Sequence, residues 1–418
     1  MTMHIPEKTR LLMDRGVTVH NPSTVYVGDE VILERISGNG VVIWGGTRIR
    51  GPKTLISAGS RLGEEGPVTL VDCRLGQSVT LKGGGFRESL FLEGASVGSG
   101  AQVREACLLE EEAGAAHSVG LKQTILFPFV TLGSLVNFCD CLMAGGTGRK
   151  HHSDVGSSYV HFNFTPNQDK ATASLVGDVP RGVMLRERPI FLGGQGGLVG
   201  PARVGYGTVV AAGTILREDL GDDCLYYGDS RRSAGSRPFY NGFYGNQERI
   251  IMNNINYIAN LVALREWYRL VRRPFFDDSE FGPALYEGAM DILDMALNER
   301  IGRFGELAQK MDPSAGNAEP SSSGSGGTGT TPLRQPLNRV WPHLRDFFSS
   351  IESRRFDTKH SDALCRVLAQ KEHEGHGTSR YLEAIRSLDN AMAARGTAWL
   401  KGITEQVATQ ARTLLYKA

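Results

Sequence analysis

The chain has 418 residues, with 46 lysines and arginines against 45 aspartates and glutamates, so its formal net charge is +1. A charge this close to zero argues against nucleic acid or an anionic membrane surface as a partner. The sequence contains no run of about 18 apolar residues, which a membrane span needs, and residues 1–16 lack the apolar centre of a signal peptide. We therefore expect a cytoplasmic protein that does not enter a membrane.

Glycine is distributed unevenly along the chain. Of the 52 glycines, 39 lie at or before Gly245, and five of the remaining 13 lie in the short stretch from Gly316 to Gly329. Frequent glycine without low complexity indicates many tight corners. The distribution separates a glycine-rich body from a helical segment, a linker and a second helical segment.

Aliphatic residues in the body recur every sixth position. This period fits neither a helix nor an alternating strand, but it fits a short strand followed by a corner. Three such steps make one triangular turn, and stacked turns make a parallel β-helix with an aliphatic core. The longest unbroken run is Leu192, Leu198, Val204, Val210 and Leu216, and shorter runs are Leu75 and Leu81, Val97 and Val103, and Leu126, Leu132 and Phe138.

Two segments carry a family resemblance. One is the five-step run, including Ala211-Ala212-Gly213, and the other is Val155–Phe164 followed by a loop that ends in Lys170. Together they resemble the hexapeptide-repeat, left-handed β-helix proteins, and above all the C-terminal domain of the bacterial bifunctional enzyme that acetylates glucosamine-1-phosphate and then uridylylates it. The resemblance implies a mainly β fold, a left-handed parallel β-helix followed by α-helical segments. It also implies a homotrimer with sites between subunits, a nucleotide-sugar or sugar-phosphate ligand, and acetyl-CoA as cofactor.

The resemblance implies substrate-binding residues in the second segment. It places Asn163 and Lys170 at the family positions that contact the sugar and the phosphates, and Phe164 where the family has tyrosine. An amide offers donors and an acceptor to sugar hydroxyls, and a loop lysine is a mobile charge for phosphate. The alternative is an asparagine stacked within the coil and a solvated lysine.

Histidines are the candidates for a general base, which acyl transfer requires. His151, His152 and His161 lie close together in the sequence. The family uses a histidine about 23 residues before the asparagine, so the resemblance assigns the base to none of them. Arg149 and Lys150 stand beside the histidine pair, and this basic stretch fits a phosphate-binding loop as well as it fits a catalytic one.

A coenzyme A site is implied along the final turns. Ala211 and Ala212 would line it with small residues, and Arg231 stands where the family has a phosphate-contacting arginine. Gly194 replaces a serine of the family site, which weakens this prediction. No metal site is predicted, because Cys139 and Cys141 lack a second ligand pair at suitable spacing.

A glycine-rich stretch from Gly45 to Lys53 is similar to the loop that holds the triphosphate in sugar nucleotidyltransferases. That loop needs a Rossmann-like domain around it, whereas this stretch lies among six-residue repeats. Nucleotidyl transfer is therefore the weakest of the functions considered.

The rest of the chain is predicted to be helical. We divide the sequence into a β-helix (1–236), a helical cap packed on it (237–311), a flexible Gly/Ser linker (312–336) and a C-terminal helical bundle (337–418). The bundle carries no catalytic signature, so we expect it to dock a protein partner or to support oligomerisation.

Two functions follow from these patterns. The first is a protein of sugar-nucleotide metabolism that binds a UDP-N-acetylhexosamine-like ligand and transfers an acyl group from CoA. The second is a non-catalytic β-helix scaffold or sugar-nucleotide sensor whose bundle recruits a partner.

Overall fold

The structure is a computed structural model, and it describes residues 4–228, 244, 246–277, 279–311, 336–351, 354, 356, 359–372 and 380–417. The predicted linker lies outside these residues apart from Pro336, and so does Arg231.

The body is a parallel β-helix of about 11 turns with three faces. Face A consists of β1 (Thr18–Val19), β3 (Val42–Ile43), β6 (Arg61–Leu62), β9 (Thr80–Leu81), β12 (Ser96–Val97), β15 (Gly114–Ala115), β17 (Thr131–Leu132), β21 (Asp154–Val155), β24 (Phe191–Leu192), β27 (Val209–Val210) and β29 (Leu225–Tyr226). Face B consists of β2 (Tyr26–Val27), β4 (Arg48–Arg50), β7 (Val68–Val71), β10 (Gly84–Arg87), β13 (Ala101–Val103), the first half of β16 (Gly120–Leu126), the first half of β18 (Asn137–Met143), β22 (Val160–Phe162), β25 (Gly197–Val199) and β28 (Ile215–Leu216). Face C consists of β5 (Leu55–Ile56), β8 (Arg74–Leu75), β11 (Ser89–Phe91), β14 (Cys107–Leu109), the second halves of β16 and β18, β23 (Ser174–Val176) and β26 (Arg203–Val204).

The six-residue period appears as columns of buried side chains. On face A, Leu132 pairs with Val155, which pairs with Leu192, which pairs with Val210, and all four are buried. The five-step run places its members on faces A, B, C, A and B in turn. Each buried aliphatic side chain contributes about 1.5–3 kcal/mol. The fold class predicted from the sequence is thereby confirmed.

The segment Gly45–Lys53 lies in the second turn of this β-helix, between β3 on face A and β5 on face C. Its strand β4 pairs in parallel with β2 and β7. The stretch therefore acts as an ordinary turn of the β-helix.

Eight helices are described. They are α1 (Glu7–Asp14), α2 (Val179–Gly182), α3 (Gln247–Trp267), α4 (Gly282–Lys310), α5 (Leu337–Ser349), α6 (Lys359–Glu372), α7 (Arg380–Arg386) and α8 (Asn390–Lys417). Helix α3 continues into a π-helical turn, Tyr268–Arg272, and a 3-10 turn, Arg273–Phe276. Helix α1 contacts β1 and β2 and buries Leu12, so it closes the N-terminal end.

Face C carries the helical layer. Helix α4 contacts β8, β11 and β14, and α3 contacts β23. The C-terminal helices pack on this layer: α8 contacts α2, α3, α5 and α6, and Trp267 Nε1 donates a 3.0 Å hydrogen bond to Tyr381 Oη. Faces A and B keep exposed outer side chains, and the candidate site lies at the edge between faces B and C.

Candidate ligand-binding corner

The candidate site is built where a loop leaves the β-helix between face B and face C. Strand β22 ends at Phe162 and β23 begins at Ser174, so residues 163–173 form an excursion from the regular corner. The preceding turns pass this corner within single strands, β16 and β18, at residues with positive φ, Gln123 and Asp140. The loop therefore projects from an otherwise tight edge.

A chain of polar contacts fixes Asn163 at the base of this loop. Its Nδ2 atom donates to Asp140 Oδ2 at 3.2 Å, and its Oδ1 atom accepts from Thr172 Oγ1 at 2.8 Å. The second carboxylate oxygen of Asp140 lies 2.8 Å from Nη2 of Arg300, which α4 supplies. Because Asp140 and Arg300 are both buried, the ion pair is shielded from water.

His161 lies inside the same corner. Its Nε2 atom is 2.9 Å from Ser174 Oγ, which also accepts the backbone N–H of Ala202 at 3.0 Å. Burial lowers the pKa of His161 to about 4, so the ring is neutral at pH 7. A ring that is 3% exposed is not placed to touch a solvent-borne substrate, and His161 acts on the corner from within.

The outer surface of the corner combines aromatic rings with an amide and an ammonium group. Phe162 and Phe164 are 40% and 68% exposed, and Asn163 and Lys170 are exposed as well. The Phe162 ring lies over Gly197 of the next turn, where an added Cβ would meet the ring at 2.3 Å. Lys170 has no ion-pair partner among the described residues. The surface can thus stack on a ring, hydrogen-bond to hydroxyls and attract a phosphate.

The histidine pair lies at a different corner. His151 and His152 form β20, which pairs antiparallel with β19 (Gly146–Gly148) in a hairpin between face C and face A. His151 is exposed, and Nδ1 of His152 is buried without a hydrogen-bond partner among the described residues. One chain alone does not bring this pair to Asn163 and Lys170.

The basic neighbours of the histidines divide between two roles. Arg149 donates to the backbone oxygen of Glu112 at 2.8 Å and lies 3.7 Å from the Glu112 carboxylate. Lys150 is exposed. Arg149 therefore anchors the hairpin, and Lys150 offers its ammonium group to solvent.

The third corner, between faces A and B, carries Ala211 and Ala212. The turns stack closely there, since a Cβ on Gly193 would lie 2.4 Å from the Ala212 nitrogen. Ala212 is exposed and Ala211 is partly so. The predicted third member of this site, Arg231, lies outside the described residues.

Sequence reasoning missed Asp140 and Arg300. Asp140 precedes Asn163 by 23 residues, which is the spacing of the family's catalytic histidine, and this arithmetic would have found it. No local signal identifies Arg300, because it reaches the corner from a helix 160 residues further along.

The fold and this corner define a class: a hexapeptide-repeat parallel β-helix with a loop-bearing edge near its C-terminal end. No family model matches the sequence. The chain is 28% identical over 229 residues to the bifunctional protein GlmU of Thermotoga maritima. The matched region covers 54% of this chain and 45% of that protein. GlmU of Carboxydothermus hydrogenoformans is 27% identical over 225 residues, with 54% and 45% covered, and GlmU of a Cyanothece species is 28% identical over 221 residues, with 53% and 43% covered.

These relatives, together with the β-helix, confirm the resemblance inferred from the sequence. The matched part spans less than half the length of the relatives. Within the described ranges, no helix is long and apolar enough to cross a membrane. The same residues contain no group of three or more His, Cys, Asp or Glu side chains that could hold a metal ion.

Proposed function

We propose that this protein binds a UDP-N-acetylhexosamine-like nucleotide sugar, or the corresponding sugar phosphate, at the corner between faces B and C. The observation that carries the proposal is the anchored amide of Asn163. Asp140 and Thr172 fix its orientation while the residue stays exposed. Its remaining N–H and its second lone pair then face sugar hydroxyls or an N-acetyl group.

The flanking residues suit the rest of such a ligand. Phe164 offers an apolar surface for a sugar or base ring, and Lys170 offers a charge to the phosphates. The sequence resemblance supports the same assignment.

We propose a homotrimer as the functional assembly. Since helices cover face C, faces A and B remain for contact between copies. Their outer surfaces become apolar in the last turns, at Phe162 and Ile215 on face B and at Phe191, Val209 and Leu225 on face A. In a three-fold arrangement with the A–B corner at the centre, face B of one copy meets face A of the next.

This arrangement gives the histidine hairpin a role in the site. The outer edge of face B carries Asn163, and the outer edge of face A carries His151 and His152. Both edges belong to the turn formed by β21 and β22. The hairpin of one copy would therefore stand beside the Asn163 corner of its neighbour, and Lys150 would add a second cation for phosphate.

Acyl transfer from acetyl-CoA is the reaction that this composite site would perform. The amine of glucosamine-1-phosphate, the unacetylated form of the sugar phosphate, would attack the thioester carbonyl while His151 or His152 takes the amine proton. CoA would leave as a thiolate that receives this proton, and the N-acetylated sugar phosphate would be the product. Ala211 and Ala212 would line the groove for the CoA chain. His161, which is buried and neutral, would hold the corner rather than act as the base.

A second candidate is a sensor or scaffold without turnover, and one observation favours it. The position 23 residues before Asn163 holds Asp140, tied to Arg300, where the family has its histidine. This buried carboxylate is already bonded to Arg300 and Asn163, so it is not placed to reach an acceptor amine. In this case ligand binding would persist and the C-terminal helices would recruit a partner.

The experiment that tests the proposal is calorimetric titration of the full chain with UDP-N-acetylglucosamine and, separately, with acetyl-CoA. Binding of both supports the acyltransferase and justifies a turnover assay. Binding of the nucleotide sugar alone supports the sensor. Binding of neither overturns the proposed ligand class.

A further inference from the structure

The loop 163–173 is held by elements that lie beyond the β-helix in sequence. Asn254 of α3 donates from Nδ2 to the Ala171 carbonyl at 3.0 Å. Lys310, at the end of α4, donates to the Gln168 carbonyl at 2.6 Å. The helical layer therefore fastens the backbone of the loop from outside.

Arg300 makes the central contact of this set. Its Nη2 atom lies 2.8 Å from Asp140 Oδ1, and its Nη1 atom donates to the Lys170 carbonyl at 3.4 Å. Asp140 in turn accepts from Asn163 Nδ2 at 3.2 Å. A single buried guanidinium thus reaches both residues that we propose to touch the ligand, one through a carboxylate and one through its backbone.

We propose that Arg300 is a positioning residue for the ligand site. The inference rests on the proposed function of the corner and assigns part of the site to α4. The planar guanidinium holds the Asp140 carboxylate and the loop carbonyl at once, which a lysine ammonium does not do in the same geometry. With Arg300 in place, the Asn163 amide and the Lys170 side chain project from a fixed backbone, so that the ligand need not order the loop.

The test measures the loop and the ligand separately in the full chain. In Arg300→Met, we expect amide hydrogen exchange of residues 163–173 to accelerate in the ligand-free protein. We also expect the dissociation constant for UDP-N-acetylglucosamine to rise about tenfold, because the ligand must then order the loop itself. Arg300→Lys should give an intermediate value for both quantities.

Two further variants separate positioning from simple stability. Arg265→Gln breaks the 2.6 Å contact between Arg265 and Asp294, which joins α3 to α4 away from the loop, and should change neither readout. The double variant Arg300→Met, Asp140→Asn removes both buried charges and should fold well. The amide hydrogens of residues 163–173 should still exchange faster in this variant than in the wild type. The proposal would be overturned if the double variant kept the wild-type loop exchange and ligand affinity. It would also be overturned if Arg265→Gln changed both quantities as much as Arg300→Met does. If the wild-type chain does not bind the nucleotide sugar, the ligand assignment fails, and the exchange experiment still decides whether Arg300 holds the loop.

Discussion

Asn163 and Asp140 are joined by a 3.2 Å hydrogen bond between Nδ2 and Oδ2, across one turn of the β-helix. Because Asp140 is buried and paired with Arg300, this hydrogen bond fixes the orientation of the exposed Asn163 amide. The sequence resemblance identifies Asn163 as a site residue, but it does not identify Asp140.

Lys170 should be the phosphate contact of the corner. Lys170→Ala is expected to weaken binding of UDP-N-acetylglucosamine about three- to tenfold, because an ammonium–phosphate contact is lost. Binding of free N-acetylglucosamine should not change. Calorimetric titration with both ligands checks this, with Lys82→Ala, a half-buried lysine of an early turn, as the control. An equal loss for both ligands would contradict the role in phosphate binding.

His161 should make the folded chain sensitive to acid. Burial lowers its pKa to about 4, below the ordinary value of 6.5. Between these pH values the unfolded chain binds a proton that the folded chain does not, so the free energy of unfolding falls as the pH is lowered through this window. Urea unfolding at pH 7, 6 and 5 gives the free energy of unfolding as a function of pH. The slope of this plot should be steeper for the wild type than for His161→Gln by up to about 1.4 kcal/mol per pH unit. Exposed His343→Gln should keep the wild-type slope, and a wild-type slope in His161→Gln would contradict the assignment.

Glu93 should have the opposite effect on stability: it should lower the free energy of unfolding as the pH rises. Burial, with Glu111 and Glu112 nearby, raises its pKa from 4.5 to about 7. The folded chain then holds a proton that the unfolded chain has lost, so this residue costs stability as the pH rises from 4.5 through 7. We expect Glu93→Gln to melt about 2 °C or more above the wild type at pH 8 and at the same temperature at pH 4.5. A gain of equal size at both pH values, or in exposed Glu34→Gln, would point to another cause.

The outer surface of face A should carry the contact between copies. Val209→Asp places a charge between Phe191 and Leu225 on neighbouring strands. Light scattering should then show 45.4 kDa, the mass of one chain, in place of about three times that value. Ser96→Asp lies five turns earlier on the same face and should leave the assembly intact. A trimer in Val209→Asp would show that copies meet elsewhere.

Complementation between copies tests the shared site. A chain with His151→Ala and His152→Ala and a chain with Asn163→Ala should each fail to transfer acetyl groups from acetyl-CoA to glucosamine-1-phosphate. Coexpressed in equal amounts, they should recover about one quarter of the wild-type activity, because one interface in four combines an intact hairpin with an intact corner. No recovery would mean that the histidines and Asn163 do not act across an interface.

The fold was predictable because its signal is local. The core residues of one turn recur at fixed spacing, so Leu192, Val204 and Val210 reveal the period before any contact is known. The helical layer was predictable as helix but not in its placement along face C, since this depends on which face the rest of the chain leaves uncovered.

The site was only partly predictable. Asn163 and Lys170 follow from the resemblance, and they do lie on one corner. His151 precedes Asn163 by 12 residues, which is two steps of six. It therefore lies at the corner between faces C and A, whereas Asn163 lies at the corner between faces B and C. Proximity in sequence was therefore misleading for the histidine pair, and the distant Arg300 had no local signature.

The most direct test of the central claim is calorimetric titration of UDP-N-acetylglucosamine into three proteins: the wild-type chain, Asn163→Ala and Gln102→Ala. Gln102 is an exposed amide on the same face, three turns earlier, and serves as the matched control. The account predicts binding to the wild type and to Gln102→Ala with equal affinity, and an affinity at least about tenfold weaker for Asn163→Ala. Equal affinity in all three proteins, or no binding to the wild type, would contradict a nucleotide-sugar site at this corner.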